Sequence, residues 1–426
     1  MAGVEPPVVI SNFDSFIYQI LIISEIDSMV AKSLPFQAGD PVVGALFFDR
    51  EKIIEELKMS MLPLKTGAHQ DFALVSPRRF GKSSVLKTLQ ELLRREGIAA
   101  IYIDCSETYP RGIEAILEGY VEKTFEEFGR AAKWRILSTR ITEAIKGAPG
   151  AVASVVSSLV SKLGVEFGDF FKVWIELRRE PKKDISKLFE LAAELPERLA
   201  EKTGIPCVTM FDEFQILNEF DGELLWALRA KIQHHKRVGY IVSGSSVGII
   251  SEMLSDKKSP FFNLFMVRTL EPFTDADAQK FLEKRVAGAG MKLSEGALKQ
   301  MLLKTNNIPF NLQWLGLNCY FQARHLRTNT ITEEIVEVAY AYGLKNIPQF
   351  ERDFARLTER QQRVIHCMAG QGLARPSEIA RASGIRDVNV IKELNAMVNL
   401  GYLVKEVRGE YRFQDNVLRD WLRSRF

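Results

Sequence analysis

Residues 72–75 are an unbroken apolar run and 207–211 a second buried-strand run, and each stops abruptly at a polar motif: SPRRFGKS after the first, DE after the second. Such a run suits a central strand of a parallel sheet, buried on both faces. After SPRRFGKS the chain continues as SVLKTLQELLRREG. There Val85, Leu86, Leu89, Leu92 and Leu93 recur at helical spacing, and Gly97 closes the run. The order strand, glycine-bearing loop, helix confines the chain to the α/β class with a parallel sheet. It is also the setting in which backbone N–H groups and a helix N-terminus face an anion.

The loop comprises Ser76, Pro77, Arg78, Arg79, Phe80, Gly81, Lys82, Ser83 and Ser84. It departs from the phosphate-binding pattern G-x-x-x-x-G-K-[ST] at its first position, where Ser76 stands for glycine. If that position needed a positive φ, the serine would cost about 1 kcal/mol. Pro77 argues against the need, because it fixes its own φ and biases Ser76 towards an extended conformation. Lys82 is then expected to reach the β- and γ-phosphates of ATP, and the Ser83 hydroxyl to ligate Mg²⁺. Taken without its surroundings, the same stretch reads as a basic surface loop paired with acids.

The second motif weighs against that reading. PCVTMFDEFQ (206–215) is a buried-strand run ending in Asp212 and Glu213. Side chains alternate along a strand, but the backbone turns at its end, so the two acids can take different tasks. Asp212 is expected to hold Mg²⁺, and Glu213 to orient or deprotonate the attacking water. A third apolar strand, 238–242, leads into Ser243-Gly244-Ser245-Ser246. A polar residue there is placed to bind the γ-phosphate or the water, and either Ser243 or Ser245 fits the position. The plainer alternatives are helix-start acids for DE and an ordinary turn for SGSS.

The chain resembles the archaeal-type P-loop ATPases of the AAA+/STAND group that end in a winged helix. The resemblance rests on FFDREKIIEEL (47–57), SPRRFGKSSVL, MFDEFQIL (210–217), IVSGSSVGII (241–250), LEPFTDADAQKFL (270–282), NNIPFNLQWLG (306–316) and YRFQDNVLRDWLR (411–423). It implies an α/β P-loop NTPase core, a helical lid and a C-terminal winged helix, with ATP binding and hydrolysis as the activity. The pattern is broken at Ser76 and at the lid entry, where Asn306 and Asn307 replace two glycines. Asparagine tolerates the left-handed region well, so that exchange is mild. It is broken again after Pro260-Phe261-Phe262, where the expected arginine is missing. Arg268 is the nearest candidate for an arginine finger acting on a neighbouring subunit.

On this basis residues 1–40 form an N-terminal extension and 41–272 the ATPase core, with a helical insertion at about 108–205. Residues 273–350 form the lid and 351–426 the winged helix. Within the insertion, VEFGDFFKVWIEL is rich in strand-favouring residues and reads as a hairpin candidate. FIYQILIISEI (16–26) and GAPGAVASVVSSLVS (147–161) are apolar but too short for a membrane span. The first reads as an amphipathic helix packed on the core or on a second copy in a homo-oligomer. Four scattered cysteines without metal spacing suit a reducing, cytoplasmic setting. A net charge of +3 over 426 residues is too mild to argue nucleic acid from bulk charge.

The C-terminal region reads as helix, helix, turn, helix and hairpin, with Thr358 capping the first helix and Arg408-Gly409 turning the hairpin. The third helix offers Asp387, Asn389, Lys392, Glu393 and Asn395, two acids against one lysine, which suits phosphate poorly. Lys405, Arg408 and Arg412 of the hairpin are better placed for duplex DNA. Two functions follow: an Mg²⁺-dependent ATPase switch whose winged helix adapts it to a protein or DNA partner, or a nucleotide-gated DNA-binding regulator with little hydrolysis.

Overall fold

The computed structural model describes residues 34–39, 41–44, 47–108, 111–146, 151–180, 184–220 and 222–425, so the apolar stretch 16–26 lies outside it. Five parallel strands form the central sheet: β1 (Phe72–Val75), β2 (Ala99–Asp104), β3 (Cys207–Asp212), β4 (Val238–Gly244) and β5 (Met266–Thr269). Their order is β2-β3-β4-β1-β5. The loops after β1, β3 and β4 therefore leave the same edge side by side, which is where ligands bind in open α/β sheets.

Strand alternation divides the sheet into two packed faces. Phe72, Leu74, Ala100, Val208, Met210 and Ile241 are buried against α1 (Glu51–Met61) and α2 (Lys82–Arg95). Ala73, Val75, Ile101, Ile103, Phe211, Tyr240 and Val242 face the other way, into a larger core. That core is covered by the insertion, which is helical throughout its described length: α3 (Ile113–Ala131), α4 (Arg135–Ile145), α5 (Ala151–Leu163), α6 (Val165–Arg179) and α7 (Ile185–Thr203). The hairpin expected at VEFGDFFKVWIEL is instead α6. Phe167, Phe170, Phe171, Trp174 and Ile175 fall on one helical face and are buried there, so burial at that spacing overrides strand propensity. The apolar stretch 147–161 supplies most of α5, with Val155, Val156 and Leu159 buried. No described helix is long and apolar enough to cross a membrane.

After α8 (Gly222–His234) and α9 (Val247–Ser255), the chain leaves β5 for four helices: α10 (Asp275–Gly288), α11 (Glu295–Thr305), α12 (Pro309–His325) and α13 (Glu333–Leu344). Asn306 and Asn307, the residues that replace the two glycines, both adopt left-handed φ, 51° and 54°. Then come α14 (Pro348–Ala355), α15 (Glu359–Gln371), α16 (Pro376–Ser383) and α17 (Asp387–Asn399). The antiparallel pair β6 (Leu403–Lys405) and β7 (Tyr411–Phe413) and the helix α18 (Asn416–Ser424) complete the chain. Thr358 opens α15 in a capping box, and the hairpin turns at Arg408-Gly409 with φ of 74° and 75°. One apolar core extends from Phe273, just before α10, to Trp421 in α18. Its aromatic contacts include Trp421 against Phe350 and Phe354, at 5.8 and 6.0 Å between ring centres.

Candidate active site

Register and alternation assemble the site. Asp212 shares the parity of Val208 and Met210 and so faces α2, as do Tyr102 on β2 and Ser243 on β4. Ser83, in the first turn of α2, meets them there. The Asp212 carboxylate is buried and accepts hydrogen bonds from Ser83 Oγ at 2.5 Å, Tyr102 OH at 2.8 Å, the Ser243 hydroxyl and the Glu213 N–H at 3.1 Å. Asp104 is the register partner of Asp212. Burial, together with the Asp212 and Glu213 charges, raises its pKa against the pull of Ser106 hydrogen bonds.

Glu213 follows Asp212 but turns away, with φ 55° and ψ 42°. Its carboxylate accepts from Ser245 Oγ at 2.6 Å and from Gln215 Nε2 at 2.5 Å. The two serines between which the sequence does not choose thus divide between the two acids, Ser243 to Asp212 and Ser245 to Glu213. Gly244 between them leaves room for the side-chain ends of Ile250 and Gln215. A Cβ there would lie 2.5 Å from Ile250 Cδ1 and 2.6 Å from Gln215 Oε1.

In the loop, Ser76 continues β1, its N–H donating to the Gly244 carbonyl at 3.4 Å. The left-handed residues are Arg79 and Gly81, with φ of 73° and 94°, and Ser76 is not among the positive-φ residues. Lys82 is buried and folds back over the loop, its Nζ donating to the carbonyls of Ser76 at 2.7 Å and Pro77 at 2.9 Å. Burial lowers its pKa against the opposing charges of Glu213 and Asp212. Phe80 packs into the core beneath α2 and anchors the loop.

A cavity of about 360 Å³ opens over the loop. Arg78 to Ser84 and Glu213 line it, whereas Ser76 and Pro77 do not. Ser84 Oγ accepts from the Val42 N–H at 2.9 Å and so ties residues 41–42 across the opening. The far wall is apolar: Phe48, Phe273 and Phe281 form a ring cluster with centre separations of 5.5 to 6.1 Å. Gln349, Arg352, Asp353 and Arg356 enter from α14 and its end. Sequence reasoning missed Tyr102, Asp104, Gln215 and this α14 wall. The ring cluster carried a signal, since its members belong to the quoted FFDREKIIEEL and LEPFTDADAQKFL.

One expected residue lies elsewhere, and two other arginines are already engaged. Arg268, on the edge strand β5, is outside the cavity and forks onto Glu56 of α1, with Nη2 at 2.5 Å. Arg229 of α8, not a downstream arginine, donates to the carbonyls of Pro260 and, at 3.4 Å, Phe262. On the hairpin, Arg412 pairs with Glu406.

The oxygen set fits Mg²⁺. Ser83 and Asp212 touch beside the cavity, and the carboxylates of Asp104, Asp212 and Glu213 crowd at the sheet edge near Lys82. No group of three His, Cys, Asp or Glu among the described residues could hold a metal alone. One carboxylate and one hydroxyl, completed by waters and phosphate oxygens, is the usual coordination of this ion.

No family model and no curated protein matches the chain. Solved structures do. A Walker-type ATPase of Pyrococcus abyssi is similar over 92% of this chain and 100% of its own, at 19% identity and a TM-score of 0.61. The ORC2 protein of Aeropyrum pernix, in ADPNP and ADP complexes, is similar over 91% of this chain and 97% of its own, at 12% identity and a TM-score of 0.55. The chain therefore shares the fold of these two archaeal proteins, an α/β core followed by a helical region.

Proposed function

We propose that the chain binds Mg²⁺–ATP in the cavity above the loop and hydrolyses it. The carrying observation is the pairing of Ser83 with Asp212 at 2.5 Å beside Lys82, with Glu213 held separately by Ser245 and Gln215. The amides of residues 79–84 and the N-terminus of α2 would receive the phosphates, while Lys82 exchanges two loop carbonyls for phosphate oxygens. Ser83 and Asp212 would hold Mg²⁺, whose charge offsets that of the β- and γ-phosphates. Glu213 would accept the proton of the attacking water, its orientation set by Ser245 and Gln215. The adenine would rest against Phe48, Phe273 and Phe281.

The elements from α15 to α18 fit a winged helix, and we assign it to a protein partner in preference to duplex DNA. Arg412 and Arg375, the latter at 2.9 Å, are already paired with Glu406 and Glu410, which weakens a phosphate-binding surface. The test is phosphate release with and without duplex DNA, for the parent and for Lys82→Ala. Release that requires Lys82 and ignores DNA supports both assignments. Release independent of Lys82 overturns the first, and a DNA-stimulated rate overturns the second.

A further inference from the structure

Arg78 and Arg79 belong to the loop and line the cavity, but their charges are spent on the C-terminal region. Asp353 of α14 accepts from both, one carboxylate oxygen to each guanidinium. Arg79 also reaches Asp415, just before α18, at 3.5 Å and lies over the Phe350 ring at 4.2 Å. Burial works against the Arg78 charge, and Asp353 leads the groups that more than offset it. Around these pairs the regions touch closely. Tyr402 OH donates to the Asp353 carbonyl at 3.0 Å, and a Cβ on Gly401 would stand 3.2 Å from the Ser245 carbonyl and 3.5 Å from Pro77.

Resting on the reading of the cavity as a nucleotide site, we infer that Asp353 occupies the anion position of the loop arginines, so that nucleotide phosphates and the C-terminal region compete for the same two guanidiniums. Both anions draw on the same guanidinium charge, and two anions held against the same pair of arginines repel one another. Asp353 also lines the cavity, so a phosphate arriving there repels it as well as displacing it. The two acids differ in how many partners hold them. Asp415 is fixed by Asn311 Nδ2 at 2.8 Å and by the N–H groups of Val417 and Leu418 at 2.9 and 3.2 Å, which it caps. Asp353 makes its side-chain bonds to the two arginines, so it is the partner that lets go. Arg79 holds a left-handed φ of 73°, an arrangement that costs a non-glycine residue and is maintained here from the C-terminal side. Phosphate contacts would take over that role. By linkage, the factor by which nucleotide loosens the clamp equals the factor by which the clamp weakens nucleotide binding.

The test uses the full chain with Mg²⁺–ATP as probe. Calorimetric titration of the parent, Asp353→Asn and Lys82→Ala gives affinities, and hydrogen–deuterium exchange of the parent reads residues 348–425 with and without nucleotide. Asp353→Asn should tighten ATP binding about tenfold, the scale of one charge-assisted pair, and ATP should speed exchange in α14 and α17. Unchanged or weaker binding by Asp353→Asn, with the parent still binding in a Lys82-dependent way, overturns the competition and leaves the nucleotide site standing. A parent that binds no ATP overturns both. If the variant does not fold, exchange in the parent decides: faster exchange supports the clamp, and protection of α14 overturns it.

Discussion

Ser245 donates to the Glu213 carboxylate at 2.6 Å, whereas Ser243, two residues earlier on the same strand end, donates to Asp212. The pair separates two tasks that the adjacent acids would otherwise share. Ser245→Ala should lower kcat about fivefold, the worth of roughly one net hydrogen bond, with the Mg²⁺ dependence unchanged. Ser243→Ala should raise the Mg²⁺ concentration needed for half-maximal rate. Steady-state kinetics over a Mg²⁺ series checks both. Identical effects from the two variants would remove the division of labour.

The acids themselves should separate in the same way. Glu213→Gln keeps the shape of the side chain and its contact with Ser245 but removes the base. It should leave ATP bound and slow turnover by about 10²-fold or more. Asp212→Asn should weaken the Mg²⁺-dependent part of ATP binding, because the amide loses the negative charge. Binding in Mg²⁺ and in EDTA, beside single-turnover rates, separates the two. Equal and small effects would reduce DE to the start of the 3₁₀ turn at Phe214–Glu219.

Asp104 gives a prediction with pH. Burial and its neighbours raise its pKa from the ordinary 3.8, so the folded chain keeps a proton that the unfolded chain has released. Stability therefore falls as pH rises through the window between the ordinary and the raised value, and the cost is complete above it. Asp104→Asn can still accept from the Ser106 N–H and hydroxyl and carries no charge. Its melting temperature should exceed that of the parent at neutral pH, and the gap should close on acidification below the ordinary aspartate value. A lower melting temperature at neutral pH would count against the crowding of carboxylates.

The legible parts of the molecule are those encoded locally. A strand, a glycine loop and a helix follow one another in sequence, so the loop and Lys82 stand out, and Asp212 and Glu213 stand out by ending a second strand. Tyr102 and Asp104 do not, because only the register between β2 and β3 brings them to Asp212. Asp353 is further from sight. It lies 274 residues from Arg79, and nothing in either segment specifies the other. The hairpin expected in place of α6 fails for a different reason: aromatic and β-branched residues favour strands only until a helical face finds a core to bury in.

Ser76 decides whether the loop is complete. Its N–H extends the β1–β4 ladder at 3.4 Å, and the left-handed turns fall later, at Arg79 and Gly81. The first position therefore ends a strand and needs no positive φ. The hydroxyl is buried and has no hydrogen-bond partner among the described residues, so deleting it removes an unmet polar group. Glycine, however, adds freedom to the unfolded chain at a cost of about 0.5–1 kcal/mol. The two terms oppose each other, and Ser76→Gly should change ATP affinity by less than about 1 kcal/mol. Gly81→Ala is the contrast. A Cβ there meets nothing within 4 Å, but φ is 94°, so the whole penalty is conformational and falls on the residue that turns the chain into α2. It should weaken ATP clearly while Ser76→Gly does not. Calorimetric titration of both variants makes the comparison, and a hundredfold gain from Ser76→Gly would mean that the serine is a defect in the loop.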